Sequence, residues 1–271
     1  MKKGYWARIR ALILALSIFT CSFTFDSKEV KAATNMDYNQ VYTVAVSAKS
    51  PQTLTFQTPS TGYTRVEVKV SKVTTSDGEV THGSDMDCGV YVDGKMLMYD
   101  LVGQDDGVVA TENYAFAPGQ EGKVELSCNI LYGWIYYCEV KVVNETPANF
   151  ETEDNDTIAS SDSLKVKKVH SGILNDRDDD DWYVFKAPKT GEYQILVQNT
   201  DDSRTGDFFY VQGFKKKNKI DSNFKYTSAK AGKGWVKSKK ISLKKGKKYY
   251  VRISDALNKS IPYEIKVKKV H

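Results

Sequence analysis

Apolar and polar residues alternate along this chain with a period of two, and they do so repeatedly. One half carries Tyr63-Thr-Arg-Val-Glu-Val-Lys-Val70, Cys88-Gly-Val-Tyr-Val92, Lys123-Val-Glu-Leu-Ser-Cys128 and Tyr137-Cys-Glu-Val-Lys-Val142. The other carries Trp182-Tyr-Val-Phe185, Tyr193-Gln-Ile-Leu-Val197, Lys248-Tyr-Tyr-Val-Arg-Ile253 and Tyr263-Glu-Ile-Lys-Val267. Alternation puts one face of a segment on a core and the other in water, which is the pattern of a half-buried strand. Beyond the first 33 residues no stretch keeps a helical period for more than about two turns, Thr157–Leu164 being the best. The chain is expected to be all-β.

An internal repeat sets the domain count. Phe56-x-x-Pro59-x-Thr61-Gly62 recurs as Phe185-x-x-Pro188-x-Thr190-Gly191, at an offset of 129 throughout. In each copy an inward aromatic ends a strand, Pro starts a turn with its φ preset, and Gly supplies backbone freedom before the next strand. The C-terminal segments correspond as well, Gly122-Lys123 then Tyr137 onward against Gly246-Lys247 then Tyr263 onward, and both read as hairpins. The expected architecture is two tandem antiparallel β-sandwich domains, 36–145 and 149–271. The boundary falls in the polar segment Asn144-Glu-Thr-Pro-Ala-Asn149.

The N-terminus reads as an address. Lys2, Lys3, Arg8 and Arg10 precede the apolar run Ala11–Phe19, and small residues follow at Val30-Lys31-Ala32-Ala33. That is the layout of a secretory signal peptide over 1–33, too short for a membrane span. The protein is therefore expected to be secreted, extracellular or associated with the cell surface. Export makes disulfides permissible. Cys128 and Cys138 each lie five residues from Gly133, so a hairpin turning there would set them opposite one another as a candidate bridge. A Cys88–Cys128 bridge and three free thiols are the alternatives.

Charge is divided unevenly. Residues 36–145 hold 7 basic and 15 acidic side chains, whereas residues 146–271 hold 26 and 17. Lys215-Lys-Lys-Asn-Lys219, Lys237-Ser-Lys-Lys240 and Lys244-Lys-Gly-Lys-Lys248 load the last part of the chain with positive charge. A lysine-rich sandwich face attracts polyanions such as anionic polysaccharide or cell-wall polymer, although lysine also protects edge strands. Specific nucleic-acid reading is not expected, because no recognised base-reading motif accompanies the charge. Trp134, Trp182 and Trp235 could stack on sugars, but Trp182 sits in an alternating core pattern. Catalysis is not expected either. The three histidines, His82, His170 and His271, stand apart, and no nucleophile elbow, zinc-binding helix motif or phosphate loop is present.

The densest acidic stretch opens the second domain. Glu151-Thr-Glu-Asp-Asn-Asp-Thr157 is followed by Ser171-Gly-Ile-Leu-Asn-Asp-Arg-Asp-Asp-Asp-Asp-Trp-Tyr-Val-Phe185. Like charges at that density repel unless a cation compensates them, and an all-oxygen donor set suits Ca²⁺ better than Zn²⁺ or Cu²⁺. A solvated acidic loop without an ion is the other reading.

The string Glu151-x-Glu153-x-Asn155-Asp156, with Ser171-Gly172-x-Leu174, Asp179-x-Asp181-Trp182-Tyr183-x-Phe185 and Thr190-Gly191-x-Tyr193, resembles the bacterial pre-peptidase C-terminal domain. That family includes the collagen-binding domains of clostridial collagenases. The resemblance covers residues ~150–270; residues 36–145 would be a divergent, metal-free second copy, with Asp85 and Asp87 as its close acidic pair. It implies a secreted, jelly-roll-like sandwich without catalytic activity. It also implies a Ca²⁺ site built from Glu151, Glu153, Asn155 and Asp156 with Ser171 (through its carbonyl), Asp176 and Asp179. Two features depart from the family: the chain carries no peptidase domain, and Ile253-Ser254-Asp255-Ala256 replaces the aromatic late strand of collagen binders. The functional expectation is a secreted, calcium-stabilised, non-catalytic binding protein that attaches to extracellular or cell-wall polymer or to a protein ligand. An accessory or inhibitory partner of a secreted peptidase is the alternative.

Overall fold

The computed structural model describes residues 33–128, 133–176, 179–201, 207–216, 219–221, 227–255 and 259–270. Residues 1–32 of the expected signal peptide lie outside them. The described residues form strands and no helix. The first half contributes β1 (Thr34–Asn35), β2 (Val41–Val46), β3 (Gln52–Gln57), β4 (Tyr63–Thr74), β5 (Met86–Val92), β6 (Lys95–Val102), β7 (Val109–Ala110), β8 (Tyr114–Ala115), β9 (Glu121–Ser127) and β10 (Ile135–Glu145). The second half contributes β11 (Asp162–Ser163), β12 (Val169–Leu174), β13 (Asp180–Lys186), β14 (Gly191–Asn199), β15 (Phe208–Lys216) and β16 (Lys219–Ile220). It continues with β17 (Thr227–Lys230), β18 (Val236–Lys237), β19 (Ile241–Leu243), β20 (Lys248–Asp255) and β21 (Ile261–Lys269).

These strands make four sheets, and the second pair reproduces the first. The order β1-β3-β9-β5-β6 returns as β11-β13-β20-β15-β16, and β2-β10-β4-β7 returns as β12-β21-β14-β18. Even the small parallel pairings match, β1 beside β3 and β11 beside β13, within otherwise antiparallel sheets. Each half encloses its own core. Leu54, Phe56, Val66, Val68, Val124 and Val140 are among the buried residues of the first. Tyr183, Phe185, Tyr193, Tyr249, Ile265 and Tyr263 are among those of the second. Alternation read from the sequence is therefore the burial pattern observed, as in β13 and β21, where buried residues alternate with partly exposed ones.

The repeated turn has a steric reason. Gly62 adopts φ +88°, and a Cβ there would stand 2.2 Å from the carbonyl oxygen of Glu145. Only glycine fits both conditions.

Three expectations are corrected here. Cys128 and Cys138 do not face each other across a hairpin, because β9 and β10 belong to different sheets; the intervening 129–132 lie outside the described residues. Cys88, Cys128 and Cys138 are all free and buried. Cys138 sits with its Sγ 3.4 Å from the Met86 Sδ, and burial pushes the Cys88 and Cys138 thiols up to about 12. The later pair, β20 and β21, also splits between sheets, so the strands correspond while the hairpin reading does not; within them Gly119, not Gly122, is the counterpart of Gly246, each donating its N–H across the turn, to Thr58 and to Ala187. Finally, Trp182 faces outward and packs against Phe214 at 5.1 Å; the inward parity of β13 belongs to Asp181, Tyr183 and Phe185.

The halves touch through a small set of polar contacts and one ring pair. The Ala115 N–H donates to Asn175 Oδ1 at 2.9 Å, and Asn175 Nδ2 donates to the Ala115 carbonyl at 2.7 Å. The Ser260 N–H donates to Glu112 Oε2 at 2.9 Å, and the Tyr63 and Phe150 rings meet at 6.0 Å. Lys95 pairs with Asp176 across the same join.

Candidate metal centre

The segment after Phe150 is held along β12. Phe150 forms a parallel bridge with Ser171, and the Glu151 N–H donates to the Ser171 carbonyl at 3.0 Å. This turns the Glu151 side chain into the sandwich, where it is 3% exposed. Gly172 makes that possible, since a Cβ on it would stand 2.3 Å from both Glu151 Oε2 and the Tyr263 hydroxyl oxygen. Glu151 Oε1 accepts the Ile173 N–H at 2.6 Å. Asn155, fully buried, is fixed by the Trp182 N–H donating to its carbonyl at 3.0 Å.

Two overlapping groups of carboxylates result. Glu151, Glu153 and Asp181 bring one oxygen each within 4.8 Å of one another, and so do Glu153, Asp156 and Asp179. Asp181 is fully buried, on the inward face of β13. Burial, then the neighbouring carboxylates, pushes the Asp181 carboxyl well above its ordinary range. The same causes raise Glu153 to about 10, and burial raises Glu151 to about 7 and Asp179 to about 8.

The protons around Tyr263 fall short of the contacts they would have to serve. Its hydroxyl lies 2.7 Å from Glu151 Oε2, 2.6 Å from Asp181 Oδ2 and 2.7 Å from the Tyr183 hydroxyl, which itself lies 3.0 Å from Glu151 Oε2. Two hydroxyl protons serve these four oxygen–oxygen contacts. The rest are satisfied only by a proton on a carboxyl group or by a cation among the oxygens. Glu153 Oε1, Asn155 Oδ1 and Asp181 Oδ1 are buried without a hydrogen-bond partner. Buried oxygens of this kind need an explanation, and an all-oxygen set with orphaned lone pairs fits a hard divalent cation such as Ca²⁺.

The expected ligands fare unevenly. Glu151, Glu153, Asp156 and Asp179 are brought together, and Asn155 touches Glu151 through its amide at 3.4 Å. The Ser171 carbonyl is engaged by the Glu151 N–H. Asp176 lies outside both carboxylate groups and turns instead to Lys95 of the first half. Asp180 pairs with Arg252 at 2.7 Å, and Asp154 is exposed. Asp178 lies outside the described residues. Asp181 is the residue that sequence reasoning did not assign. Its signal was there: it shares the parity of Tyr183 and Phe185, so a strand that buries those rings also buries this carboxylate. In the first half, Asp85 lies over Gly103, and Asp87 accepts the Tyr99 hydroxyl.

The outer rim of the site opens on a cleft of about 360 Å³ between the halves, lined on one side by Glu153, Asp156 and Asp179 and on the other by Leu97, Tyr114 and Phe116.

No protein-family model and no curated protein sequence matches the chain. Among solved structures it is similar to the pre-peptidase C-terminal domain of a collagenase from Bacillus anthracis, at 18% identity and TM-score 0.30 over 46% of this chain and all of that one. It is also similar to the tandem CBM51 modules of a family 98 glycoside hydrolase from Streptococcus pneumoniae, at 7% identity and TM-score 0.27 over 84% of each chain. The CUB1-EGF-CUB2 domains of human MASP-1/3 align at 9% identity and TM-score 0.24 over 84% of this chain and all of theirs.

Proposed function

We propose that this is a secreted, non-catalytic binding protein whose second sandwich is ordered by Ca²⁺ and which attaches to extracellular or cell-wall polymer. The observation that carries the calcium reading is the buried oxygen cluster of Glu151, Glu153, Asn155 and Asp181, in which Glu153 Oε1, Asn155 Oδ1 and Asp181 Oδ1 lack a hydrogen-bond partner. The ligands in this reading are Glu151, Glu153, Asn155, Asp156, Asp179 and Asp181. Isothermal titration of the exported chain with CaCl₂ tests it. A single saturable site, lost in Asp181→Asn, supports the reading, and absence of heat or of that loss overturns it.

The polymer reading draws on the exposed lysines of the second sandwich, among them Lys237, Lys239, Lys244, Lys245, Lys247 and Lys248. With few carboxylates beside them, they present a field that concentrates an anionic chain. Among the described residues no helix is long and apolar enough to cross a membrane. Salt-sensitive retention on anionic cell-wall polymer, weakened by Lys244→Glu with Lys245→Glu, is the expected outcome. Retention unaffected by either salt or those variants sinks it. The two sandwiches are proposed as domains, 36–145 and 149–271. A stable fragment released by limited proteolysis near 144–150 checks that boundary.

A further inference from the structure

The first sandwich carries an outward surface of a different kind. β6 is an edge strand, and its outward side chains Met96, Tyr99 and Leu101 are 58%, 59% and 53% exposed. Three large apolar groups in one row are unusual on an edge, where charged residues normally discourage unwanted contact. In the β5–β6 ladder Met96 stands opposite Tyr91, Tyr99 opposite Gly89 and Leu101 opposite Asp87.

Two aromatic rings dominate this patch. A Cβ on Gly89 would meet Tyr91 Cε2 at 2.8 Å, its hydroxyl oxygen at 2.9 Å and Cζ at 3.2 Å. The Tyr91 ring therefore lies back across the backbone of Gly89 instead of standing up from the sheet. Glycine within a strand weakens it, and a close approach is the usual reason for one. Tyr99, beside that position on the next strand, has its hydroxyl fixed on Asp87 Oδ1 at 2.5 Å. Both rings thus present apolar surface held by the sheet, which little conformational entropy is needed to use.

Around the rings the charge is mainly negative. A shallow depression of about 500 Å³ beside Tyr91 is lined by Asp93, Gly94, Glu121, Lys123 and Glu125. Lys123 is paired with Glu125 at 2.6 Å and lies 5.8 Å from the centre of the Tyr91 ring. Asp93 and Glu121 are further carboxylates beside Tyr91, and Asp87, which holds the Tyr99 hydroxyl, adds a third. Such a surface rejects the polyanion that suits the lysines of the second half.

We propose that the outer face of β9, β5 and β6 binds a pyranose polysaccharide that carries free amino groups. The apolar C–H face of each sugar stacks on Tyr91 and Tyr99. Hydroxyl and ammonium groups donate to Asp87, Glu121 and Glu125, and the ring faces themselves attract the ammonium charge. The inference rests on the reading of the chain as a polymer-binding protein, and gives the first sandwich a ligand opposite in sign to that of the second.

The test uses the exported chain and glucosamine hexamer, measured by titration calorimetry at low salt. Tyr91→Ala and Tyr99→Ala are each expected to weaken binding at least tenfold. Gly89→Ala, which lifts the Tyr91 ring, should do the same. Chelator leaves hexamer binding unchanged, because Tyr91, Asp87, Tyr99, Glu121 and Glu125 line no part of the cleft at the acidic centre, although Asp93 borders both. The proposal is overturned if the hexamer does not bind at millimolar concentration, or if neither tyrosine variant weakens it. It is equally overturned if the fully N-acetylated hexamer binds as tightly, or if Tyr99→Ala converts a dimer to a monomer, since the face would then serve self-association. Failure of the general polymer reading is separately visible as lost lysine-dependent retention on anionic polymer, which the tyrosine variants leave untouched.

Discussion

Superimposing the two sandwiches by their ladders sets Gln52 against Asp181, Leu54 against Tyr183 and Cys138 against Tyr263. The first two follow from the 129-residue offset, and the third follows because Cys138 stands opposite Val70 and Tyr263 opposite Asn199. One scaffold thus holds an apolar, thiol-containing interior in one copy and a hydrogen-bonded carboxylate cavity in the other. Three substitutions at inward positions account for the difference. A buried carboxylate needs strong donors within reach, and the two tyrosine hydroxyls supply them where leucine has no donor and the cysteine thiol is only a weak one. The lesson is that a β-sandwich tolerates a charged centre when inward rings on facing strands bring their polar ends to one point.

The largest expected contrast concerns the ion. Binding to the folded state alone stabilises by about 2.7 kcal/mol at free Ca²⁺ 100-fold above Kd, or about 10 °C in Tm for a sandwich of this size. Chelation should lower the melting transition of the second sandwich and leave the first in place. Asp181→Asn or Glu151→Gln should erase the shift, and Asp154→Asn should keep it. Superimposable calorimetric scans in excess Ca²⁺ and excess chelator would end the metal hypothesis.

Acidity sharpens the same contrast. In the ion-free second sandwich the Glu151, Asp179 and Glu153 carboxyls are raised to about 7, 8 and 10. Between the ordinary carboxyl range and these values, the folded state binds more protons than the unfolded state. Its stability therefore falls as pH rises from about 4.5 through 7 and beyond. Chelated protein should melt at a lower temperature at pH 8 than at pH 5, and saturating Ca²⁺ should remove or reverse that slope. A flat profile in chelator would show that the carboxylates are not crowded as described.

Glycine variants probe the two interiors directly. Gly172→Ala drives a methyl into Glu151 and Tyr263, whereas Gly122→Ala drives one into the Phe56 ring, 2.2 Å from Cζ. Each should cost about 1–3 kcal/mol in denaturant titrations, but only Gly172→Ala should also weaken Ca²⁺ binding. Equal Ca²⁺ affinity in both variants would argue that Glu151 is not a ligand.

The smallest effect lies at the join. Asn175→Ala removes both bonds to Ala115 and should cost about 1–2 kcal/mol, seen as wider separation of the two melting transitions. Unchanged separation would mean the halves are coupled through other contacts, such as Ser260 with Glu112.

Much of this was legible beforehand. The period-two alternation fixes which side chains face inward, because a strand has only two faces; Phe56, Val66, Val68, Phe185 and Ile195 are buried as that parity demands. The Phe-Pro-Thr-Gly repeat identified the duplication, since Pro and Gly mark a turn locally, but the Glu145 carbonyl that bars a side chain at Gly62 comes from the far end of the same half. Most of the acidic centre was likewise visible as a cluster of charge. What alternation could not settle is which strand pairs with which. Spacing about Gly133 is equally compatible with a hairpin and with a crossing between sheets, so the pairing of Cys128 with Cys138 was undetermined until β9 and β10 took their places. The same limit hid the assignment of Asp176 to Lys95 and of Asp181 to the centre. Parity says that a side chain points inward, but only the meeting of β12, β13 and β21, residues far apart in the chain, decides what it meets there.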